Sequence, residues 1–117
     1  MVTIREKGIL LHIIEHCKRI KSKMIGVDLD IFKTNNDLQD IVCFNILQIG
    51  ELVKTFEKSF LEKNDGIPWD KIAKMRDIVA HRYGTIKIDD VYRTTILDIE
   101  PLEFYCKEIL NEKITSQ

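Results

Sequence analysis

Apolar residues recur along this chain in steps of three and four, the spacing of one face of an α-helix. From Ile4 to Met24 the stripe is Leu10, Ile13, Cys17, Ile20 and Met24, and Leu11 and Ile14 widen it to the breadth a bundle helix needs. Gly26 predicts its end, with Lys18, Lys21 and Lys23 suited to the negative pole of a helix C-terminus. Val27–Lys33 reads as a loop, and Thr34, Asn35 and Asn36 offer N-caps for a second helix. In that helix Leu38, Ile41, Val42, Ile49, Leu52, Val53, Phe56 and Phe60 keep helical spacing until Asn64-Asp65-Gly66. At 1.5 Å per residue it would reach about 40 Å, long enough to project surface beyond a small core and to suggest a dimer. Gly50 inside it is either a tolerated lapse, costing ~1 kcal/mol against Ala, or the mark of another backbone approaching closely.

Asn64–Pro68 is a turn. Trp69 begins a third helix with Ile72, Met75 (or Arg76) and Val79 on one stripe, ending near Tyr83 with Gly84 as a left-handed cap. Thr85–Ile88 is a short linker. Asp89 or its neighbour caps a fourth helix carrying Val91, Ile96 and Leu97. Asp98 and Pro101 start a last helix with Leu102, Cys106, Ile109 and Leu110, and Asn111 onward is a polar tail. The pattern predicts an all-α antiparallel bundle of four to five helices, with residues 1–117 forming one domain.

Composition narrows the function classes. The 117 residues carry 18 Lys plus Arg against 19 Asp plus Glu, a net charge of -1, which excludes nucleic-acid binding by bulk charge alone. Segment 71–93 departs from that balance. It holds Lys71, Lys74, Arg76, Arg82, Lys87 and Arg93 against Asp77, Asp89 and Asp90, a net of +3 on a remainder of -4. A local basic strip of this kind suits a phosphate. Cys17, Cys43 and Cys106 are widely spaced among apolar residues and form no CxxC pair, so they read as small buried hydrophobes in a reducing, cytoplasmic setting. No apolar run reaches the ~18 residues of a membrane helix, and no signal peptide is evident.

The candidate chemistry lies in Met75-Arg76-Asp77-Ile78-Val79-Ala80-His81-Arg82-Tyr83-Gly84. On an ideal helix Arg76 and Tyr83 share a face, and Asp77 and His81 are i,i+4 neighbours, so the carboxylate can orient the imidazole. Arg76 and His81 point about 140° apart, and converge only through a long side chain, a distorted last turn or a symmetry mate. The residue types suit metal-free RNA cleavage. A histidine near pKa 6.5 can take a proton from a ribose 2′-hydroxyl, and a guanidinium can hold a phosphate as charge builds on phosphorus. A solvated helix face with an Asp–His pair is the plainer alternative.

These residues carry a resemblance. Arg76-x4-His81-x-Tyr83 resembles the R-x4-H-x-Y signature of HepT-like toxins, a branch of the HEPN all-helical ribonucleases. Leu11-His12-Ile13, Ile49-Gly50-Glu51 and Ile67-Pro68-Trp69 fall in that family's order, so the likeness spans essentially the whole chain, with Leu52 in place of a small residue as a mild departure. The resemblance implies a homodimer in which the two motifs meet in a cleft. It implies Arg76 and His81 as catalytic, with Asp77 in support. It also implies an MntA-like nucleotidyltransferase antitoxin that transfers AMP to Tyr83 and silences cleavage of tRNA or mRNA. Lys74 and Arg82 in the basic strip are candidates for holding the RNA. No cofactor or metal is expected.

Other features weigh less. His12 and His16 have the i,i+4 spacing of helix-borne zinc ligands but lack a third ligand, and His12 is expected to pack or hydrogen-bond near the core. Trp69 reads as a buried anchor rather than a base-stacking platform, and Tyr92 and Tyr105 as core edges. A competing function is a non-catalytic helical dimer that binds a nucleotidyltransferase partner or a nucleotide, a reading kept open by the acidic pI of about 6.3.

Overall fold

Thr3 opens the first helix of the structure, a computed structural model that describes residues 2–80 and 87–115. Its hydroxyl accepts the Glu6 N–H at 3.0 Å while the Glu6 carboxylate accepts the Thr3 N–H at 2.9 Å, a reciprocal cap that starts α1 (Ile4–Lys23). Ile9, Leu10, Ile13, Ile14, Cys17 and Ile20 form its buried face, whereas Leu11, expected to widen that face, is 47% exposed. Gly26 takes a φ of +71°, the left-handed turn that glycine makes without strain.

The expected loop at Val27–Lys33 contains a short helix, α2 (Leu29–Thr34). Asp28 caps it by accepting the Ile31 N–H at 2.9 Å, and it buries Phe32 completely. Six residues are too few to show a periodicity, so only the capping aspartate announced it. Asn35 then caps α3 (Asn36–Lys54), its side chain accepting the Leu38 N–H at 3.0 Å.

The second long helix stops sooner than its apolar spacing predicts. It ends at Lys54, and a separate short helix, α4 (Lys58–Lys63), carries the rest of the stripe. The last turn tightens as the Thr55 and Phe56 amides donate to the Leu52 and Val53 carbonyls. The Thr55 hydroxyl also donates to the Leu52 carbonyl, and the Arg5 guanidinium to the Thr55 carbonyl. Glu57 is extended. The break turns Phe56 and Phe60 onto one another, ring centroids 4.1 Å apart, and both against Trp69. Burying three aromatic rings together outweighs the backbone bonds that a straight helix would keep. The 40 Å helix that suggested a dimer is therefore not formed.

Three helices complete the described chain: α5 (Trp69–Ala80), α6 (Ile88–Leu97) and α7 (Ile99–Thr115). Trp69 is the buried anchor expected at the start of α5, its indole N–H donating to the Asn64 carbonyl. The predicted ending of this helix at Tyr83 and Gly84, and the linker's first residues, lie outside the described residues. Lys87, not Asp89, occupies the cap position of α6 and makes no side-chain cap bond; Asp89 and Asp90 sit in the first turn, where the helix dipole favours them. Val91 is buried as expected, but Ile96 and Leu97 are exposed, because α6 turns Val91, Thr94 and Thr95 inward instead. Pro101 does fall in the first turn of α7, which runs to Thr115 rather than giving way to a tail at Asn111.

The helices form an all-α bundle, with no strand among the described residues. α3 lies between α1 and α5, and α7 packs against α1, with Tyr105 reaching Trp69 at the start of α5. Arg5 and His16 of α1 reach Thr55 and Asn45, so α1 and α3 are antiparallel; Trp69 and Arg76 of α5 lie beside Phe56 and Gly50, so α3 and α5 are too. Between α1 and α7 the buried Glu103 carboxylate takes Lys21 at 3.1 Å and Lys107 at 2.6 Å. Burial alone would raise this carboxyl, but the hydrogen bonds from Lys107 and Lys21 outweigh it and hold it below the ordinary carboxylate value. All three cysteines are buried thiols, and burial pushes that of Cys106 up to about 12, so they pack as hydrophobes.

Candidate active site

α5 carries the site because its two faces do different things. Trp69, Ile72, Met75 and Val79 are buried and fix the helix against the core. That leaves Lys74 and Asp77 exposed and Arg76 at the boundary, facing α3. The neighbour there is Gly50. A β-carbon at position 50 would stand 2.7 Å from the Arg76 β-carbon and 3.4 Å from the Ala73 carbonyl oxygen and the Arg76 nitrogen. Gly50 thus marks close approach of a second backbone, and its helix-propensity cost is the condition for that contact.

The approach brings the next residue of α3, Glu51, onto the arginine. Its carboxylate pairs with Arg76 Nε, and the Asp77 carboxylate lies 3.4 Å from Arg76 Nη1. The guanidinium is therefore flanked by two carboxylates, one from each helix, while the side chain stays 38% exposed. Glu51 was not singled out by reasoning on residue types, although the Ile49-Gly50-Glu51 run contains it. The signal was the glycine: a residue beside a close helix approach is placed to reach across it.

The remaining predicted site residues divide clearly. Arg76 and Asp77 are brought together, and Lys74 stands exposed on the same helix two residues before Arg76. His81, Arg82 and Tyr83 lie outside the described residues, and with them the Asp77–His81 neighbour pair, the Arg76–Tyr83 alignment and the 140° divergence of Arg76 from His81. Within the basic strip, Lys71 approaches Asp98 at 4.0 Å and Arg93 pairs with Asp90 at 3.4 Å. Among the described residues Lys74 makes no such ion pair, so its charge is the more available to an external phosphate.

The two histidines of α1 are placed differently from each other. His12 is exposed, contrary to its expected packing near the core: the residues that face inward beside it are Ile13 and Ile14. His16 lies 2.8 Å from the side-chain oxygen of the buried Asn45. The amide of Asn45 donates to the Ile41 carbonyl, which can only accept, so its oxygen faces the ring and His16 carries its proton on Nδ1. This pair joins α1 to α3. Among the described residues no three His, Cys, Asp or Glu side chains gather to hold a metal ion, and no helix is long and apolar enough to cross a membrane.

Chemically, the described part of the site is a guanidinium on an accessible helix face, flanked by carboxylates, on a helix that also carries the exposed Lys74. It can hold an anionic oxygen and stabilise added charge on it.

Comparison with known proteins agrees with this chemistry. The family model described as "Ribonuclease HepT-like" matches residues 13–109. A protein of Caldanaerobacter subterraneus subsp. tengcongensis named "Putative RNase" is 32% identical over 104 residues, covering 89% of this chain and 93% of that protein. A Methanocaldococcus jannaschii protein named "Gamma-glutamylcyclotransferase and putative RNase" is 33% identical over 103 residues, 88% of this chain but 46% of its own length. Another from that organism, named "Putative RNase", is 28% identical over 110 residues, 91% of each. No solved structure matches the chain.

Proposed function

Because the chain belongs to the HepT-like ribonuclease family, we propose that it is the toxin of a toxin–antitoxin pair and cleaves RNA without a metal, using Arg76 and His81. In this reading His81 takes the proton of a ribose 2′-hydroxyl. The freed oxygen attacks the adjacent phosphorus, the bond from phosphorus to the 5′-oxygen breaks, and that oxygen leaves with a proton from an imidazolium. The products are a 2′,3′-cyclic phosphate and a 5′-hydroxyl. Arg76 carries the charge that builds on the phosphoryl oxygens, Asp77 steadies the imidazole, and Lys74 and Arg82 hold flanking phosphates. Two copies of the chain complete the site, each supplying one motif. An MntA-like nucleotidyltransferase silences it by placing AMP on Tyr83, which puts negative charge where the RNA phosphate must lie.

One observation supports this most: the close packing at Gly50 fixes Arg76 on an accessible face, with Asp77 and Lys74 on the same helix. The test is to incubate the purified protein with tRNA and with an mRNA in EDTA, and to map the ends. Cleavage leaving 2′,3′-cyclic phosphates supports the reading, and the preferred RNA identifies the target class. Activity abolished by EDTA, or fragments with 5′-phosphates, would sink it. Light scattering at micromolar concentration should give about twice 13.7 kDa; a clean monomer would remove the composite site.

A further inference from the structure

We propose that Glu51 is a positioning residue for Arg76, setting the plane of the guanidinium in which it meets the scissile phosphate; the proposal rests on the ribonuclease reading of Arg76. An arginine side chain has four rotatable bonds, and a partly exposed one samples many rotamers unless something fixes it. Here two of its three nitrogens face carboxylates, Nε in an ion pair with Glu51 from α3 and Nη1 3.4 Å from Asp77 of its own helix, and the two charges on separate helices favour one setting of the planar fork. Nη2 meets no carboxylate among the described residues and is the nitrogen left to lead onto a phosphate.

The fold places Glu51 for this purpose. It follows the α3 residue whose missing β-carbon lets α3 come within contact of Arg76. A longer interhelical distance would leave a glutamate on α3 short of Nε. The plainer alternative is a surface ion pair that staples α3 to α5. Both side chains are more than a third exposed, 38% for Arg76 and 47% for Glu51, so such a staple contributes little to stability. The two helices already pack closely where Gly50 meets Ala73 and Arg76, and the Phe56, Phe60 and Trp69 cluster anchors the start of α5 just beyond the end of α3. Orientation is what the pair adds.

The same carboxylate has an opposing effect on binding. It places negative charge beside the position an RNA phosphate must take, which weakens ground-state attraction. A positioning carboxylate therefore predicts a split between the kinetic constants. Without its charge, RNA should bind as well or better and turn over more slowly.

The experiment compares full-length wild type with Glu51→Gln and Glu51→Asp on a short RNA, reading kcat and KM separately, with thermal unfolding alongside. For Glu51→Gln, kcat should fall roughly 10- to 100-fold, the scale of a misplaced reacting group, with KM unchanged or lower and the unfolding midpoint unmoved. Glu51→Asp keeps the charge and should recover part of kcat. A second reading uses ¹⁵N NMR. The Arg76 Nε–H signal, assigned by its loss in Arg76→Lys, should be resolved in wild type and merge with the other arginines in Glu51→Gln. An unchanged kcat, a rise in KM alone, a loss of kcat that tracks a lowered unfolding midpoint, or an Nε–H signal indifferent to the substitution would each overturn the proposal. If wild type itself cleaves no RNA, the ribonuclease reading falls and this role with it, an outcome distinct from active wild type with an equally active Glu51→Gln.

Discussion

Gly50 and Arg76 meet at a distance that no other residue at position 50 allows, since an added β-carbon would lie 2.7 Å from the arginine's own. The neighbouring atoms on that side belong to the backbone and first side-chain carbon of α5, which cannot swing aside as a flexible tip would. Gly50→Ala must therefore push the helices apart. Overpacking costs about 1–3 kcal/mol, and the better helix propensity of alanine returns ~1 kcal/mol at most. Denaturant unfolding should show a net loss of stability, and RNA cleavage should fall further than stability explains, because Arg76 is displaced. A variant matching wild type in both would mean that the contact is not tight in solution.

Cleavage should depend on both motif residues in different ways. His81→Ala removes the proton-transfer group, a loss of roughly 10²–10⁴-fold in kcat. Arg76→Ala should lose as much again through charge stabilisation, and Arg76→Lys should not restore it, because an ammonium lacks the planar fork. Initial rates in EDTA measure all three. A His81→Ala protein that cleaves normally would end the assignment.

On the proposed pairing with a nucleotidyltransferase, control should centre on Tyr83. Tyr83→Phe keeps the ring and loses the acceptor oxygen, so it should fold normally and resist neutralisation. Intact-mass analysis after co-expression with the nucleotidyltransferase should find AMP-sized additions on wild type and none on the variant. Additions that map to Tyr92 or Tyr105 would defeat the idea. Both of those hydroxyls are already engaged, Tyr92 donating to the Val27 carbonyl and Tyr105 accepting the Gly66 N–H.

Acid should loosen the bundle through Glu103. Its carboxyl lies below its ordinary value of 4.5 in the folded chain, so the stability it contributes is present above 4.5 and is lost as pH falls through the lowered native value. Glu103→Gln should cost about 1.5–3 kcal/mol at pH 7, the range for hydrogen bonds to a charged group. The gap between variant and wild type should close as the pH falls from 4.5 through the lowered native value, which urea unfolding at several pH values would reveal. A constant gap would assign the loss to packing instead.

Helical periodicity revealed most of this architecture, because long amphipathic stripes such as Leu10 to Ile20 leave few alternatives. It overran at Thr55, where the stripe continues in register but the chain bends. Spacing records which residues are apolar, and Phe56 and Phe60 bury equally well on a straight or a broken helix until Trp69, distant in sequence, is there to receive them. Ile96 and Leu97 misled for a similar reason: apolar character did not say that Thr94 and Thr95 would face inward. In the candidate site, residue types and spacing drew attention to Arg76 and Asp77, which the fold sets 3.4 Å apart. Glu51 stayed hidden because an exposed glutamate on a helix looks like any other until the helix across from it is known.

On the proposed role of Arg76 in RNA cleavage, the aromatic cluster at the start of α5 also bears on catalysis, as a mounting. A helix pinned at one point along its axis can still roll. α5 is pinned at two: Trp69 is wedged against Phe56 and Phe60, and about ten ångströms along, at 1.5 Å per residue, Arg76 seats against Gly50. A roll of about 20° would sweep a side-chain tip ~5–6 Å from the axis through about 2 Å, where an error of ~1 Å can cost 10²-fold in rate. The distant tryptophan thus acts as an angular stop, so that trimming its ring would detune a reaction it never touches.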